Sequence, residues 1–506
     1  MQAWSAGLNP YLADHPAVHP KVITRFEPWM ALSFSEGSIS ADIETVALSQ
    51  LQAFYEHLTI AMTAEERGLV PREPLGSNGF VIAPSHSAKG HPLLLINPHI
   101  SFYFRDELHV TSGEGLNAYG AATWGQFFIY QGFNAQTGWM HTTSTVDNVD
   151  EFAETVTPAA GGLTYRYGQQ NRAVTVRPIT VSFRKVAALQ ANSSNNTLFA
   201  SNQGETALFL PQFMPRRDNR FDYTLPVDGS DPATDWRGLH PLSELPEMVN
   251  PANGWVFNVN DGPWWAAGED SPKREVFAPY FDKVGRQPRT AAAPRVLSAT
   301  PRFTLDGLVS AAYDPWLPLF AEQFPGLIAA HAKAPDPARA EAFTLLAKWD
   351  HRASLTSTET SLAAFWAEAL WANGAEAAET QRISVQQWMA TKAGDGQKLA
   401  ALDEAMARLT ADFGSWQVPW GEINRFQRND GAIIQTFDDA RPSTPVPFAS
   451  ALWGSFPSFR AQRYPGTKRY YSTRGNSFVA VIEFGPRIRV SCKGRGQQQR
   501  SRIAPL

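Results

Sequence analysis

The hydrophobic period changes three times along this chain, and the order of those changes restricts the fold more than any other feature. From Asp42 to about Met62, apolar residues recur at helical spacing (Ile43, Val46, Ala47, Leu51, Phe54, Leu58, Ala61), with Ser40 or Asp42 placed to cap the start. From Ser77 the texture turns to short apolar runs bounded by turns: Phe80–Ala83, then Ala88-Lys89-Gly90-His91, then Leu93–Ile96. Further strands are predicted near 101–111, 125–133 and 137–144, and residues 162–185 alternate apolar and polar. Residues 303–412 are rich in Ala, Glu and Leu and read as helices, after which 414–489 return to strands ending in the apolar run Phe478–Phe484. Helix, strands, helices, strands predicts an α+β fold of antiparallel sheets layered with helices.

Composition narrows the function. With 506 residues and 43% apolar content a large core is affordable. A net charge of -4 argues against nucleic acid as the main partner. No apolar run approaches the length of a membrane span. One cysteine, Cys492, excludes an intramolecular disulfide and a cysteine-rich metal site. No signal peptide opens the chain as given. His-Glu-x-x-His, P-loop, dinucleotide-glycine and Gly-x-Ser-x-Gly motifs are all missing. The 16 tryptophans, 13 tyrosines and 31 phenylalanines fit core packing, or an aromatic surface for an apolar or sugar-like ligand. The second possibility keeps a carbohydrate-binding or carbohydrate-cleaving protein as an alternative; cleavage would require paired carboxylates across a cleft.

Five local segments in order carry more weight than any single residue. They are Gly76-Ser77-Asn78, Leu93-Leu94-Leu95-Ile96-Asn97-Pro98-His99, Gly138-Trp139-Met140-His141-Thr142-Thr143, Gly254-Trp255-Val256-Phe257-Asn258-Val259-Asn260-Asp261-Gly262-Pro263, and Pro294-Arg295-Val296. In these the sequence resembles the penicillin acylase family of N-terminal-nucleophile (Ntn) hydrolases, over about Trp4 to Arg489. The resemblance implies a four-layer αββα sandwich with a helical insertion. It divides the chain into 1–76 (end of an α chain plus processing linker), 77–302 (first part of the Ntn core), 303–412 (helical region), 413–489 (returning core strands) and 490–506 (an atypical tail).

It also implies a mechanism. Cleavage before Ser77 frees an α-amine, whose pKa of about 7.7–8.0 suits a general base near neutral pH. Ser77 is then both nucleophile and base, attacking an amide carbonyl to form an acyl-enzyme. The backbone N–H of Thr143 and the side chain of Asn260 are implied as oxyanion donors, with Asn258 as the competing asparagine. His99 is implied to orient the nucleophile's surroundings, and Arg295 to sit near the new N-terminus and disfavour protonation of the amine. No cofactor is implied for the chemistry. Asp147, Val149, Asp150 and Pro226 are implied as ligands of a structural calcium, supplied by carboxylate and carbonyl oxygens.

The implied partners are a small-molecule acyl amide and an α chain cut from the same precursor; the implied location is periplasmic or secreted. His99 with His141-Thr142 leans toward acyl-homoserine-lactone and lipopeptide acylases rather than enzymes for phenylacetyl groups. Two departures stand out. Trp4-Ser5-Ala6-Gly7-Leu8-Asn9 resembles a segment well inside the family's α chain, and the basic run after Arg489 suggests a shifted reading frame from about residue 490. Such a chain is expected to be a family hydrolase or a truncated, inactive relic of one.

Overall fold

The computed structural model describes residues 1–20, 23–30, 76–102, 105–123, 128–144, 150–176, 195–210, 214–223, 225–281, 285–428 and 436–493. The helix expected over 42–62 lies outside the described residues. Helix α1 spans Gln2–Asp14.

The first strand, β1 (Gly76–Ile82), has every residue buried, and so does β2 (Leu93–Ser101). Full burial on both faces requires a sheet covered on both sides. The strands that join them in the two large sheets are β3 (Arg105–Thr111), β4 (Asn117–Thr123), β5 (Gln131–Asn134), β6 (Thr137–Thr143), β7 (Asn195–Ser201), β8 (Thr206–Phe209), β9 (Glu247–Val249), β10 (Trp255–Asn258), β11 (Arg474–Asn476), β12 (Val479–Glu483) and β13 (Arg489–Lys493); a three-stranded sheet over Val156–Ala159, Gly162–Tyr167 and Gln170–Ala173 and three two-stranded pairs lie apart from them. The two large sheets are antiparallel. One runs β10-β1-β2-β12-β13, with β11 also paired to β2; the other runs β9-β8-β7-β6-β5-β4-β3. The second sheet takes its strands in chain order, with long excursions between β6 and β7 and between β8 and β9. The first joins residues 76–101 to strands nearly four hundred residues later. The expected break near 490 falls within β13, whose Cys492 pairs with Ala480.

Strand alternation sorts the first sheet's two faces. Phe80, Ile82, Leu93, Leu95, Trp255 and Phe257 pack against helices α2 (Pro288–Ala299) and α3 (Leu305–Ala312). Val81, Leu94, Ile96 and Val256 pack against Phe133, Met140 and Leu198 of the second sheet. The layers are therefore helix, sheet, sheet. Among the described residues, no helix packs broadly on the outer face of the second sheet, so the fourth layer of the expected sandwich is not supplied by them.

Helical structure begins at Pro288 rather than near 303, because Pro288 opens α2 at a position where its missing N–H costs nothing. Helices α4 (Pro318–Lys333), α5 (Ala340–Leu346), α6 (Thr358–Thr380), α7 (Val385–Thr391) and α8 (Asp395–Phe413) follow. They share a separate core that buries Trp349, Trp366, Trp371 and Trp388. Together with Trp420 and Trp453 in the same cluster, these tryptophans are packing residues, which removes much of the basis for a sugar-binding surface.

The sheets meet most closely at glycine. A Cβ at Gly79 would lie 2.7 Å from Leu198 Cδ1 and 3.2 Å from Met140 Cγ, too close for carbon atoms. Gly79→Ala is expected to destabilise the fold by roughly 1–3 kcal/mol through overpacking. Urea unfolding checks this; an unchanged midpoint would mean that the sheets can separate freely at that point.

Candidate active site

Ser77 is the second residue of β1 and is 2% exposed. Its backbone N–H donates to Asn260 Oδ1 at 2.6 Å, and its hydroxyl donates to the Gly76 carbonyl at 2.7 Å. Alternation from Gly79 directs the Ser77 side chain toward the second sheet, and Gly76 and Asn78 toward the helix layer. Gly76 has no room for anything larger: a Cβ there would lie 2.5 Å from Asn260 Oδ1 and 3.1 Å from Arg289 Nη2.

Asn260 follows the end of β10 with φ at 70°, a left-handed conformation that asparagine tolerates better than most side chains. The turn folds its amide back over β1. Oδ1 accepts from Ser77 N–H and from Arg289 Nη2 (3.0 Å), while Nδ2 donates to the Thr143 carbonyl at 3.2 Å. Two donors facing Oδ1 and an acceptor facing Nδ2 fix the amide's orientation. Asn260 thus touches both Ser77 and Thr143.

Asn258 is placed differently. Its Oδ1 accepts from Thr142 Oγ1, Asn196 Nδ2 and the Asn260 N–H, and its Nδ2 donates to the Asp261 carbonyl. That side chain is saturated by the framework of the turn. The structure therefore brings Ser77, Thr143 and Asn260 together and keeps Asn258 behind them.

The guanidinium at Ser77 belongs to Arg289, which the sequence reading missed. Arg289 is fully buried. Its Nη1 donates to the Ser77 carbonyl at 3.2 Å and to Asn78 Oδ1 at 2.7 Å, while Nη2 reaches Asn260. Arg295, expected there, is instead 39% exposed, ion-paired with Asp314 and stacked 4.3 Å over Trp316. Both arginines lie on α2, but six residues place them roughly 120° apart around a helix. The face that packs on β1 carries Arg289. A signal was available: Arg289 falls within the first turn of a proline-opened helix, directly after the Asn-x-Asn segment.

A buried, permanently charged guanidinium needs compensation. Three amide or carbonyl oxygens supply part of it. Asp261 supplies more, held by Thr290 Oγ1 at 2.6 Å on its Oδ2. Burial pushes the Asp261 carboxyl up to about 6, against the opposing pulls of the Thr290 hydrogen bond and the Arg289 charge. Residues 260–261 and 289–290 are thus bonded side by side, and the Gln287 side chain adds a further bond to the Asn260 carbonyl.

His99 lies opposite Gly76 in the β1–β2 register, on the helix face. Its Nε2 faces Asn78 Nδ2 at 3.4 Å, so its link to Ser77 runs through Asn78. Burial, with the Arg289 charge second, lowers its pKa well below the usual value; the Phe456 carbonyl opposes both. His99 is therefore a neutral imidazole.

Of the residues implied for calcium, Asp147 and Val149 lie outside the described residues. Asp150 Oδ2 accepts from Arg217 and Trp236, while its buried Oδ1 has no hydrogen-bond partner. The parallel pairing of Val227 with Phe152 brings Pro226 alongside the same segment. Among the described residues, no cluster of three or more metal-ligating side chains is assembled.

Stacked antiparallel sheets, with a buried serine at the start of a central strand just after its first residue and an asparagine folded over its amide, define the Ntn-hydrolase fold. A model of the penicillin amidase family matches residues 1–191 and 181–494, and the chain belongs to that family. Penicillin G acylase of Escherichia coli is 31% identical over 111 residues, which are 22% of this chain and 12% of that protein. The matched stretch is thus a small part of that relative's length. The solved structure of a thermostable penicillin G acylase from Alcaligenes faecalis superposes with a TM-score of 0.53 over 82% of this chain and 90% of its own, at 15% identity. At that identity the likeness is one of fold. Among the described residues no helix is long and apolar enough to cross a membrane.

The raised Asp261 pKa has a definite sign for stability. The folded state holds this proton more tightly than the unfolded chain, whose ordinary value is 3.8, so stability from this group is present below 3.8 and lost as pH rises through about 6. Asn at this position cannot ionise. The stability of the native protein relative to Asp261→Asn is expected to fall by about 2 kcal/mol between pH 4 and pH 7. Denaturant unfolding of both proteins across that range is the check, and a pH-independent difference would contradict it.

Proposed function

We propose that the protein hydrolyses a linear amide joining an acyl group to an amine, using Ser77 after cleavage of the Gly76–Ser77 bond. The observation that carries this reading is the placing of Ser77. Ser77, second in a fully buried strand, has its hydroxyl against the preceding carbonyl and its nitrogen bonded to Asn260.

In the maturation step, Ser77 Oγ adds to the Gly76 carbonyl carbon and the Gly76–Ser77 C–N bond breaks, leaving an ester. Breaking that bond frees the Ser77 α-amine, and water then hydrolyses the ester to release the Gly76 carboxylate and the Ser77 hydroxyl. The glycine requirement at 76 fits this step, because a side chain there would collide with Asn260 and Arg289. The freed amine sits next to the Arg289 guanidinium, whose charge favours the neutral amine needed as base. That is the role the sequence resemblance gave to Arg295; Arg289 takes it here.

In turnover, the amine accepts the Ser77 hydroxyl proton as Oγ attacks the substrate carbonyl. Asn260 Nδ2 and the Thr143 N–H stabilise the oxyanion. The amine product leaves with the proton, and water releases the acid. His99, neutral and buried, braces Asn78 and through it Arg289. A calcium ion, if held, would take Asp150 Oδ1 with Asp147, Val149 and Pro226; it would brace the loop after β6 without entering any step. The same reading carries a second chain cut from one precursor, a periplasmic or secreted location, and an acyl preference leaning toward lactone or lipopeptide amides.

Ser77→Ala is expected to abolish both amide hydrolysis and chain splitting, read by substrate turnover and by denaturing mass spectrometry. Residual hydrolysis at the native rate would sink the assignment. Asn260→Ala, which removes one oxyanion donor, is expected to lower kcat by about 10²–10³, equivalent to ~3–4 kcal/mol.

A further inference from the structure

Asn97, in the middle of β2, is completely buried, yet neither end of its amide is bonded: Oδ1 and Nδ2 both lack a hydrogen-bond partner among the described residues. Alternation along the strand puts it on the helix face, two residues before His99 and directly opposite Asn78. Asn78 is engaged elsewhere. Its Oδ1 accepts from Arg289, and its Nδ2 donates to the Phe456 carbonyl and faces His99 Nε2. An amide buried without a partner carries its full desolvation penalty, so a chain that keeps one marks a place where something else completes the bonding.

Two neighbours share the deficit. His99 Nδ1 is buried without a partner, and so is Nδ2 of Asn476, which lies directly opposite His99 on β11. Asn476 Oδ1 is taken by the Ser458 N–H. The unbonded atoms therefore come from adjacent positions on one face of the sheet. The ladder is interrupted at the same place. Between the Ile96–Ala480 and His99–Asn476 pairs, β2 contributes residues 97 and 98 and its partner contributes 477, 478 and 479. This is a β-bulge, held by the Ser477 N–H and hydroxyl, which both donate to the Pro98 carbonyl. Bulges bend a strand, re-aim its side chains and recur beside active sites.

We propose that Asn97, His99 Nδ1 and Asn476 Nδ2 bind internal water, and that through it Asn97 is a positioning residue for the nucleophile. Asn97 needs a partner that donates to Oδ1 and accepts from Nδ2. Water does both, whereas a bare cation or anion would serve one end only. The neutral His99 ring is then held at both nitrogens, by Asn78 at Nε2 and by water at Nδ1. Its orientation reaches Ser77 through Asn78, because the Arg289 Nη1 that donates to Asn78 Oδ1 also donates to the Ser77 carbonyl. The water site stands without the amide-hydrolase reading; the positioning role rests on it.

A crystal structure of the native protein that shows ordered waters tests the site. Water within hydrogen-bond distance of Asn97 and His99 Nδ1 is expected; an Asn97 amide bonded by protein groups alone would overturn the proposal. Asn97→Leu, apolar and of similar size, separates bound water from a bare unpaired amide. Expelling water and orphaning His99 and Asn476 lowers the urea midpoint, which is the expected result; a raised midpoint, the sign of a relieved unpaired amide, would overturn the site. In turnover, Asn97→Leu is expected to lower kcat about tenfold with KM nearly unchanged. Asn97→Ser, whose hydroxyl still bonds water, is expected to recover most of that loss. A lowered midpoint with kcat unchanged would overturn the positioning role. Native protein that hydrolyses no amide would count against the hydrolase reading instead, and the crystal structure and the unfolding midpoint would still decide the water site.

Discussion

One buried charge organises the centre of this protein. The Arg289 guanidinium has left water entirely, and a permanently charged group can do so only where every surrounding element has been arranged for it. The Ser77 carbonyl, Asn78 Oδ1 and Asn260 Oδ1 come from one strand and the turn after its neighbour, and all three face the same cation. Losing Arg289 would leave those oxygens buried with one donor fewer each. The position of Ser77 is thereby tied to the docking of a helix more than two hundred residues later in the chain.

The turn carrying Asn260 connects that docking to Ser77. Its left-handed backbone is a local cost, offset by the number of bonds it makes possible. Oδ1 is occupied on one side by Ser77 and on the other by Arg289, which leaves Nδ2 directed at Thr143, across the gap to the second sheet. Asn258, two residues earlier on the strand, anchors the turn to Thr142 and Asn196. The two asparagines divide the work, the first securing the turn and the second facing Ser77. Asp261 completes the arrangement by matching the buried cation with a carboxyl that is itself poorly solvated.

The N-terminal end of α2 consequently serves several partners. Gln287 bonds to Asn260, Arg289 faces Ser77, and Thr290 holds Asp261 while accepting the Gln287 N–H. Proline at the start of the helix limits the backbone conformations open to its first turn.

Much of this was legible in the sequence. The alternation of texture determines the α+β class, and the expected strands at 80–83, 93–96, 137–144 and 478–484 all form. Ser77, Thr143 and Asn260 could be selected because each stands in a short local segment whose spacing survives without knowledge of the fold. What the sequence could not determine is which face of a helix is buried. Arg289 and Arg295 are equivalent as residue types, and arginine is ordinarily exposed, so composition and periodicity offer no reason to bury one of them. That choice depends on the packing of α2 against β1 and β10, which is a long-range contact. The placing of His99 behind Asn78 has the same origin. Local sequence determined the strands and the turn; only the tertiary structure decided which distant side chain meets Ser77, because burial of a charge depends on oxygens contributed from several parts of the chain.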